Sequence, residues 1–324
     1  RRTASTSAGR RPAVAQPVTE ERADSPPGPR ERPTTDSPTF FADARGSQPF
    51  AEICEQPEYY PTRTELGIME DNLDAIAEAV GKDVSLIEYG SGSSTKTRLL
   101  LDRLDQPAAY VPVDISREHL AQAAAQLAAD YPDIKVLPVC TDFTKPFSLP
   151  EPNRSAARNV VYFPGSTIGN FGIDDAVALM KVIREEAGDS GGLLIGVDLV
   201  KPRDILEPAY NDAAGVTAEF NLNLLRRLNR EHDANFELGS FRHRAVYDEE
   251  HQRIEMRLIA LDEQTVNIGN ERFEFEEGEH IVTEHSHKFG VEQFADLAAQ
   301  AGFDLQEVWV DEDELFSVQY LDAA

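Results

Sequence analysis

Cysteine is scarce in this chain: Cys54 and Cys140 are the only two among 324 residues. Neither sits in a metal-ligand spacing, and they make no disulfide framework, so a reducing compartment and a fold held by apolar burial are expected. Lysine is scarce too, supplying seven of 31 basic residues against 58 acidic ones. The net charge of −27 argues against nucleic acid or an anionic membrane as partner, because both would repel it. Such a surface suits a salt-rich interior or simply an acidic soluble protein. No run of about 18 apolar residues is present to span a bilayer. The arginine-bearing start also lacks the apolar stretch of a secretory signal. A cytoplasmic protein is expected, working as a monomer on a small molecule.

What is present falls into three parts. Residues 1–38 carry seven of the 20 prolines and almost no large apolar side chains. They cannot bury enough surface to offset ordering entropy, which predicts a disordered tail. From about 84 to 198, strand and helix alternate: strands at 84–89, 109–114, 134–139, 159–163 and 192–198, helices at 94–104, 116–130 and 173–187. A helix from Thr64 to about Ala79 precedes them. Buried strands separated by helices predict a parallel sheet with right-handed crossovers. After Asp198 the pattern changes to a long helical stretch at 204–230. Strand-like runs then follow at 242–247, 253–261, 272–276 and 279–285, suggesting antiparallel pairing. A helix at 291–301 and strands near 305–310 and 315–321 return to the first sheet. The fold class is therefore α/β, a Rossmann-like domain with a second, α+β lid domain. The boundaries are 1–38 for the tail, 39–64 with 201–290 for the substrate-binding domain, and 65–200 with 291–324 for the cofactor-binding domain.

The stretch Leu86-Ile87-Glu88-Tyr89-Gly90-Ser91-Gly92 reads as strand followed by glycine turn, with a helix opening near Thr95. Glycine lets backbone approach a ligand closely, and a helix start offers free N–H groups. Val111-Pro112-Val113-Asp114 ends the next strand in a carboxylate suited to ribose hydroxyls. The third glycine of a dinucleotide fingerprint is missing, while Glu88 two residues before Gly90 fits the E/D-x-G-x-G opening of S-adenosylmethionine sites. Asp142-Phe143, after the third strand, suits an adenine amino group and ring. Gly90, Gly92, Lys96, Asp114, Asp142 and Phe143 are thus the candidate cofactor residues, and a methyl donor is favoured over NAD. This makes the first domain a class I methyltransferase fold.

Five longer motifs point further. They are Pro-Glu-Tyr-Tyr-Pro-Thr-Arg at 57–63, Tyr-Gly-Ser-Gly-Ser at 89–93 and Phe-Pro-Gly-Ser-Thr-Ile-Gly-Asn-Phe at 163–171. Tyr-Asn-Asp-Ala-Ala-Gly-Val-Thr at 210–217 and Thr-Glu-His-Ser-His-Lys-Phe at 283–289 complete the set. In this order they resemble the histidine Nα-methyltransferases of ergothioneine biosynthesis, from about Phe40 to the C-terminus. The resemblance implies trimethylation of the L-histidine α-amine to hercynine. It places Tyr210 and Asn170 on the substrate carboxylate, and the Gly165 backbone and the Asn170 carbonyl on the amine. Tyr60 would lie beside the amine; Glu284 and Ser286 would grip the imidazole, with Met256 packed beside it. Tyr60 and Asn170 are the candidate catalytic residues, acting by alignment, since no general base is evident. Where the family has Phe-Tyr-Asp this chain has Phe41-Ala42-Asp43, and His285 and His287 replace its usual Asn and Tyr.

Plainer readings exist for each residue. Tyr60 could be packing, Asn170 could cap the helix near 173, and Glu284 could be solvated in an acidic stretch. Lys96 could merely decorate its helix. His280, His285 and His287 raise the question of a metal, but strand alternation leaves only two on one face, so no metal is expected. The competing functions are methylation of another amino acid or an indole amine, and a non-catalytic module that only binds the cofactor.

Overall fold

The computed structural model describes residues 31–32, 47–91, 95–152 and 154–324. The expected tail lies outside these except for Glu31–Arg32 (β1), which forms a short strand rather than belonging to an unstructured segment. Phe41-Ala42-Asp43 and Gly92 also fall outside them.

The main sheet is built from β2 (Val84–Tyr89), β3 (Ala109–Asp114), β4 (Lys135–Val136), β5 (Val139–Cys140), β6 (Arg158–Phe163) and β7 (Gly192–Asp198). It is completed by β13 (Phe303–Val310) and β14 (Phe316–Ala323). The first six are mutually parallel where they pair, and β14 runs antiparallel between β7 and β13. Strand order across the sheet is β13-β14-β7-β6-β2-β3-β4. The strand expected at 134–139 is instead two short pieces, both pairing with β3, because Leu137-Pro138 interrupts the ladder: proline has no N–H to donate. The sheet therefore has seven lanes in the class I methyltransferase order.

Side chains of β2 divide between two cores. Ile87 and Tyr89 face α5 (Ile173–Ala187) and α8 (Val291–Gln300), joining Met180, Ile183 and Phe294. Leu86 faces α2 (Tyr60–Val80) and α3 (Thr95–Arg103), joining Met69, Ile76 and Leu100. Glu88 shares this second face and is buried there. A strand covered on both sides needs apolar residues at nearly every position, which is what β2, β6 and β7 supply.

Helix α2 starts at Tyr60, four residues before the expected Thr64. Pro61 sits in its first turn, where a missing N–H costs nothing. The expected helix 204–230 is two, α6 (Arg203–Ala209) and α7 (Val216–Glu231). Asp212 causes the break: its carboxylate accepts the N–H groups of Val216 at 2.8 Å and Thr217 at 2.7 Å, starting α7 afresh. Tyr210 is thereby left at the end of α6, in the break.

The second sheet has the order β1-β12-β9-β8, from β8 (Phe241–Asp248), β9 (Arg253–Ala260) and β12 (His280–His287). β8, β9 and β12 are antiparallel, and β1 adds to β12 in parallel. A separate hairpin joins β10 (Gln264–Ile268), which the sequence pattern does not reveal, to β11 (Glu271–Phe275). The two sheets meet where the Phe289 N–H donates to the Asp198 carbonyl at 3.0 Å and the Val200 N–H to the Phe289 carbonyl at 3.1 Å. This junction sets the end of β12 beside the end of β7. No helix among the described residues is long and apolar enough to cross a membrane.

Candidate active site

The carboxyl ends of the parallel strands form one rim. Gly90, at φ +72°, ends β2 and donates its N–H to the Val113 carbonyl at 2.9 Å, which ties it to the strand that ends in Asp114. Among the described residues nothing lies within 4 Å of where a Cβ on Gly90 would stand, so its Cα face is open to a ligand. Asp114 is half-buried and accepts the Ser116 N–H at 2.8 Å through one oxygen. On the adjoining lane, Asp142 accepts Thr144 Oγ1 at 2.6 Å and Lys145 Nζ at 2.9 Å. Burial opposes its charge, but these bonds outweigh it and hold the carboxyl below its usual range. Phe143 stacks on Tyr89 at 4.8 Å and meets the Phe163 edge at 5.8 Å. An open glycine, a strand-end carboxylate and an acid–aromatic pair on one rim fit the ribose, adenine and amino-acid parts of S-adenosylmethionine. Lys96 is ion-paired with Glu65 of α2, and two of its three N–H donors remain for another acceptor.

Glu65 is fully buried and also accepts the Gly165 N–H at 3.0 Å. That leaves the Gly165 carbonyl as the group an amine could use. Gly165 and Ser166 both adopt positive φ, turning the chain after β6 into a 3-10 turn, Thr167–Asn170. The turn is held against β12 at Gly169, where a Cβ would stand 2.7 Å from the His287 carbonyl oxygen. Asn170 does not cap α5, whose N-cap is Gly172. Its half-exposed amide has no hydrogen-bond partner among the described residues.

Across from this turn lies a buried polar chain. Tyr60 Oη donates to Asp198 at 2.8 Å and accepts Lys201 Nζ at 2.7 Å. Lys201 also pairs with Asp198 at 2.5 Å. Lys288 Nζ donates to Asp198 at 2.6 Å, Tyr210 Oη at 2.7 Å and Ser286 Oγ at 2.8 Å. Tyr210 and Ser286 hydroxyls lie 2.9 Å apart. Burial disfavours the Asp198 charge, yet the two ammonium groups more than reverse this and lower its pKa. Burial and the like charge of Lys288 bring Lys201 down to about 8, against the pull of Asp198. Lys288 stays raised, because Asp198 overcomes its desolvation.

Glu284 differs from all of these. It stands directly opposite Met256 in the β12–β9 ladder, half-buried, with no hydrogen-bond partner among the described residues. Burial pushes its carboxyl up to about 7, with Lys288 pulling the other way. Met256 packs with Tyr60 and Tyr210 in one apolar cluster. The neighbours of Glu284 along the strand are occupied elsewhere. His285 lies 3.8 Å from Glu255, which Arg253 and Arg257 clamp at 2.6 Å each, and His287 is buried against Phe289. Burial lowers His287 to about 4, so it is neutral. Among the described residues no group of three His, Cys, Asp or Glu side chains could hold a metal ion.

Sequence comparison decides what this arrangement belongs to. A family model described as "Histidine-specific methyltransferase, SAM-dependent" matches residues 28–323. The chain belongs to this family. It is an S-adenosylmethionine-dependent methyltransferase. A histidine N-alpha-methyltransferase of Mycolicibacterium smegmatis is 38% identical over 296 residues, covering 90% of this chain and 91% of the relative. One of Mycobacterium tuberculosis is 36% identical over the same shares. Ergothioneine biosynthesis protein 1 of Neurospora crassa is 32% identical over 87% of this chain, which spans 32% of that longer protein.

Three residues of the methyltransferase's site escape a reading of its sequence: Asp198, Lys201 and Lys288. Two signals for them exist. Asp198 ends β7 at its carboxyl end, as Asp114 ends β3, and Lys288 lies inside the Thr-Glu-His-Ser-His-Lys-Phe motif.

Proposed function

We propose that this methyltransferase acts on the α-amine of L-histidine, three times in succession, to give hercynine, the opening step of ergothioneine biosynthesis. The observation that carries this reading is Glu284, a half-buried carboxyl with no hydrogen-bond partner among the described residues, beside the Ser286 hydroxyl and opposite Met256. An acceptor next to a hydroxyl, over a thioether, matches an imidazole with one N–H and one bare nitrogen. An indole has one N–H and no basic nitrogen, so Ser286 would gain nothing from it.

Gly90, Gly92, Asp114, Asp142 and Phe143 would hold S-adenosylmethionine, which supplies an electrophilic methyl on sulfur when bound. The remaining work falls to the protein's own groups. Tyr210 Oη and the Asn170 amide N–H groups hold the carboxylate. The Gly165 and Asn170 carbonyls and Tyr60 Oη are the acceptors for the ammonium N–H groups; the neutral amine keeps two of these bonds, and one fewer after each methylation. Fixing the substrate at three corners aligns the nitrogen lone pair for in-line attack, the contribution expected of positioning. The amine proton leaves to water, since Asp198, the nearest carboxylate to Tyr60, is already saturated by Tyr60, Lys201 and Lys288. The division into cofactor-binding residues 65–200 with 291–324 and substrate-binding residues 39–64 with 201–290 is proposed with it, as is a cytoplasmic monomer.

The test is incubation with methyl-labelled S-adenosylmethionine and single amino acids. Label on histidine with mass gains of one, two and three methyl groups is expected. Methylation of tryptophan or another amine, with histidine left unlabelled, overturns the assignment.

A further inference from the structure

The two tyrosines of the site are not held alike. Tyr60 Oη gives its proton to Asp198 and takes one from Lys201. Toward a ligand it has no donor left and can only accept. Tyr210 Oη takes a proton from Lys288, and so does Ser286 Oγ. Their own protons are shared with each other or with whatever else occupies the site. Lys288 thus turns both hydroxyls into donors. Asp198 and Lys288 are themselves in contact at 2.6 Å, so one buried chain of charges governs both ends.

We propose that Lys201, Asp198 and Lys288 are positioning residues that set opposite hydrogen-bond polarity on the two sides of the pocket. Through Asp198 and Lys201, Tyr60 is an acceptor facing the ammonium side of an amino-acid zwitterion. Through Lys288, Tyr210 and Ser286 are donors facing its carboxylate and the bare imidazole nitrogen. This rests on the histidine reading above and adds to it a reason for substrate orientation. A pocket of neutral hydroxyls free to rotate would accept the amino acid in either sense; these hydroxyls are each locked by a charge behind them.

The burial of the chain supports the assignment. Asp198 is 0% exposed, Lys288 1% and Lys201 8%. Charges so deep are costly and give little net stability compared with apolar residues of the same shape. Two cations on one carboxylate are more than ion pairing alone needs. Each extra ammonium instead ends on a hydroxyl of the site, Lys201 on Tyr60 and Lys288 on Tyr210 and Ser286. The cation also lies over the ring of the same tyrosine, 4.5 Å for Lys201 over Tyr60 and 4.6 Å for Lys288 over Tyr210, fixing ring as well as hydroxyl.

The experiment is steady-state kinetics and ligand titration on wild type, Lys288→Met, Asp198→Asn, Tyr60→Phe and the double variant Tyr60→Phe/Asp198→Asn. Hercynine formation by the wild type is measured first; if it fails, the functional reading falls, and the variants are not the cause. Given an active wild type, Lys288→Met should weaken histidine binding about 10- to 100-fold, the cost of one charge-assisted bond. It should weaken histamine several-fold less, because histamine lacks the carboxylate that Tyr210 meets and keeps only the imidazole that Ser286 meets. Asp198→Asn presents an amide that can donate to Tyr60 and swing its proton toward the amine. It should lower kcat about 10- to 100-fold with KM little changed, and add nothing further once Tyr60 is Phe. Cofactor affinity should be unchanged throughout. Equal losses for histidine and histamine, a fall of kcat in step with cofactor affinity, or additive Tyr60 and Asp198 effects would mark these charges as packing alone. Should Asp198→Asn not fold, Lys288→Met decides by itself, because it leaves the balanced Asp198–Lys201 pair in place.

Discussion

The cofactor rim and the substrate pocket are built by different means. On the rim, the two carboxylates are held by their own neighbours: Asp114 by the N–H two residues on, Asp142 by Thr144 two residues on. In the pocket, the bonds join distant parts of the chain. Tyr60 and Asp198 are 138 residues apart, Lys288 and Asp198 are 90, and Tyr210 and Ser286 are 76. The rim belongs to a parallel sheet and is set by strand ends and tight turns. The pocket depends on how the second sheet docks on the first at Phe289 and Asp198. Binding of the cofactor should therefore be robust to changes in the lid, whereas recognition of the amino acid should not be.

The sharpest way to break this contrast is at Glu284. Replacement by alanine should lower kcat/KM for histidine about 100- to 1,000-fold, since the imidazole N–H loses a buried acceptor, while cofactor affinity stays level. The same residue gives a pH signature. Its carboxyl ionises at about 7, so the acceptor form grows as pH rises through that value, and kcat/KM rises with it. In Glu284→Gln that component of the profile should vanish, leaving the ionisations of the substrate and of Lys201, which burial brings to about 8. On the other side, Asp114→Ala should raise KM for S-adenosylmethionine about 10- to 100-fold with histidine affinity unmoved, as measured by titration. A combined fall in both affinities for either variant would erase the distinction between the regions.

Smaller effects sharpen it. Gly169→Ala forces a Cβ to 2.7 Å from the His287 carbonyl, so the 3-10 turn must move off β12. A stability loss of about 1–3 kcal/mol in urea unfolding is expected, with histidine binding weakened more than cofactor binding. Smallest is Glu88→Gln. Burial lifts Glu88 from its ordinary 4.5 to about 7, against the hydroxyls of Tyr110 and Thr97. The folded protein then holds this proton more tightly than the unfolded chain. Its contribution to stability is greatest below pH 4.5 and is lost as pH rises from 4.5 to 7. The glutamine variant should show a flatter dependence of melting temperature on pH across that window.

How far each region could be read from sequence follows from the same contrast. The lanes β2, β3 and β7 match their expected bounds, because strands buried on both faces leave continuous apolar runs. Asp114 and Asp142 are legible because a carboxylate ending such a run is a local event. Where local signals misled, a single residue was responsible. Pro138 cut the strand expected at 134–139, Asp212 cut the helix expected at 204–230, and Pro61 moved the start of α2 back to Tyr60. Tyr60, Tyr210 and Ser286 could be named only by resemblance to a family, since nothing near them in sequence marks a site. A strand end and a motif mark the positions of Asp198 and Lys288, but their roles show only in three dimensions: a buried lysine looks like surface in a string of letters. Glu284 follows a run of mostly exposed glutamates, and its partial burial without a hydrogen-bond partner among the described residues separates it from them.

Glu65 carries one more consequence. This buried carboxylate of α2 holds both Lys96, on the helix after the glycine turn, and the Gly165 N–H, at the mouth of the pocket; five residues before it on the same helix is Tyr60. The donor and acceptor halves of the reaction are thus bolted to a common beam. A shift of the glycine-turn helix that reached Gly165 through Glu65 would join the two halves, and by thermodynamic reciprocity any such coupling acts by the same factor in both directions.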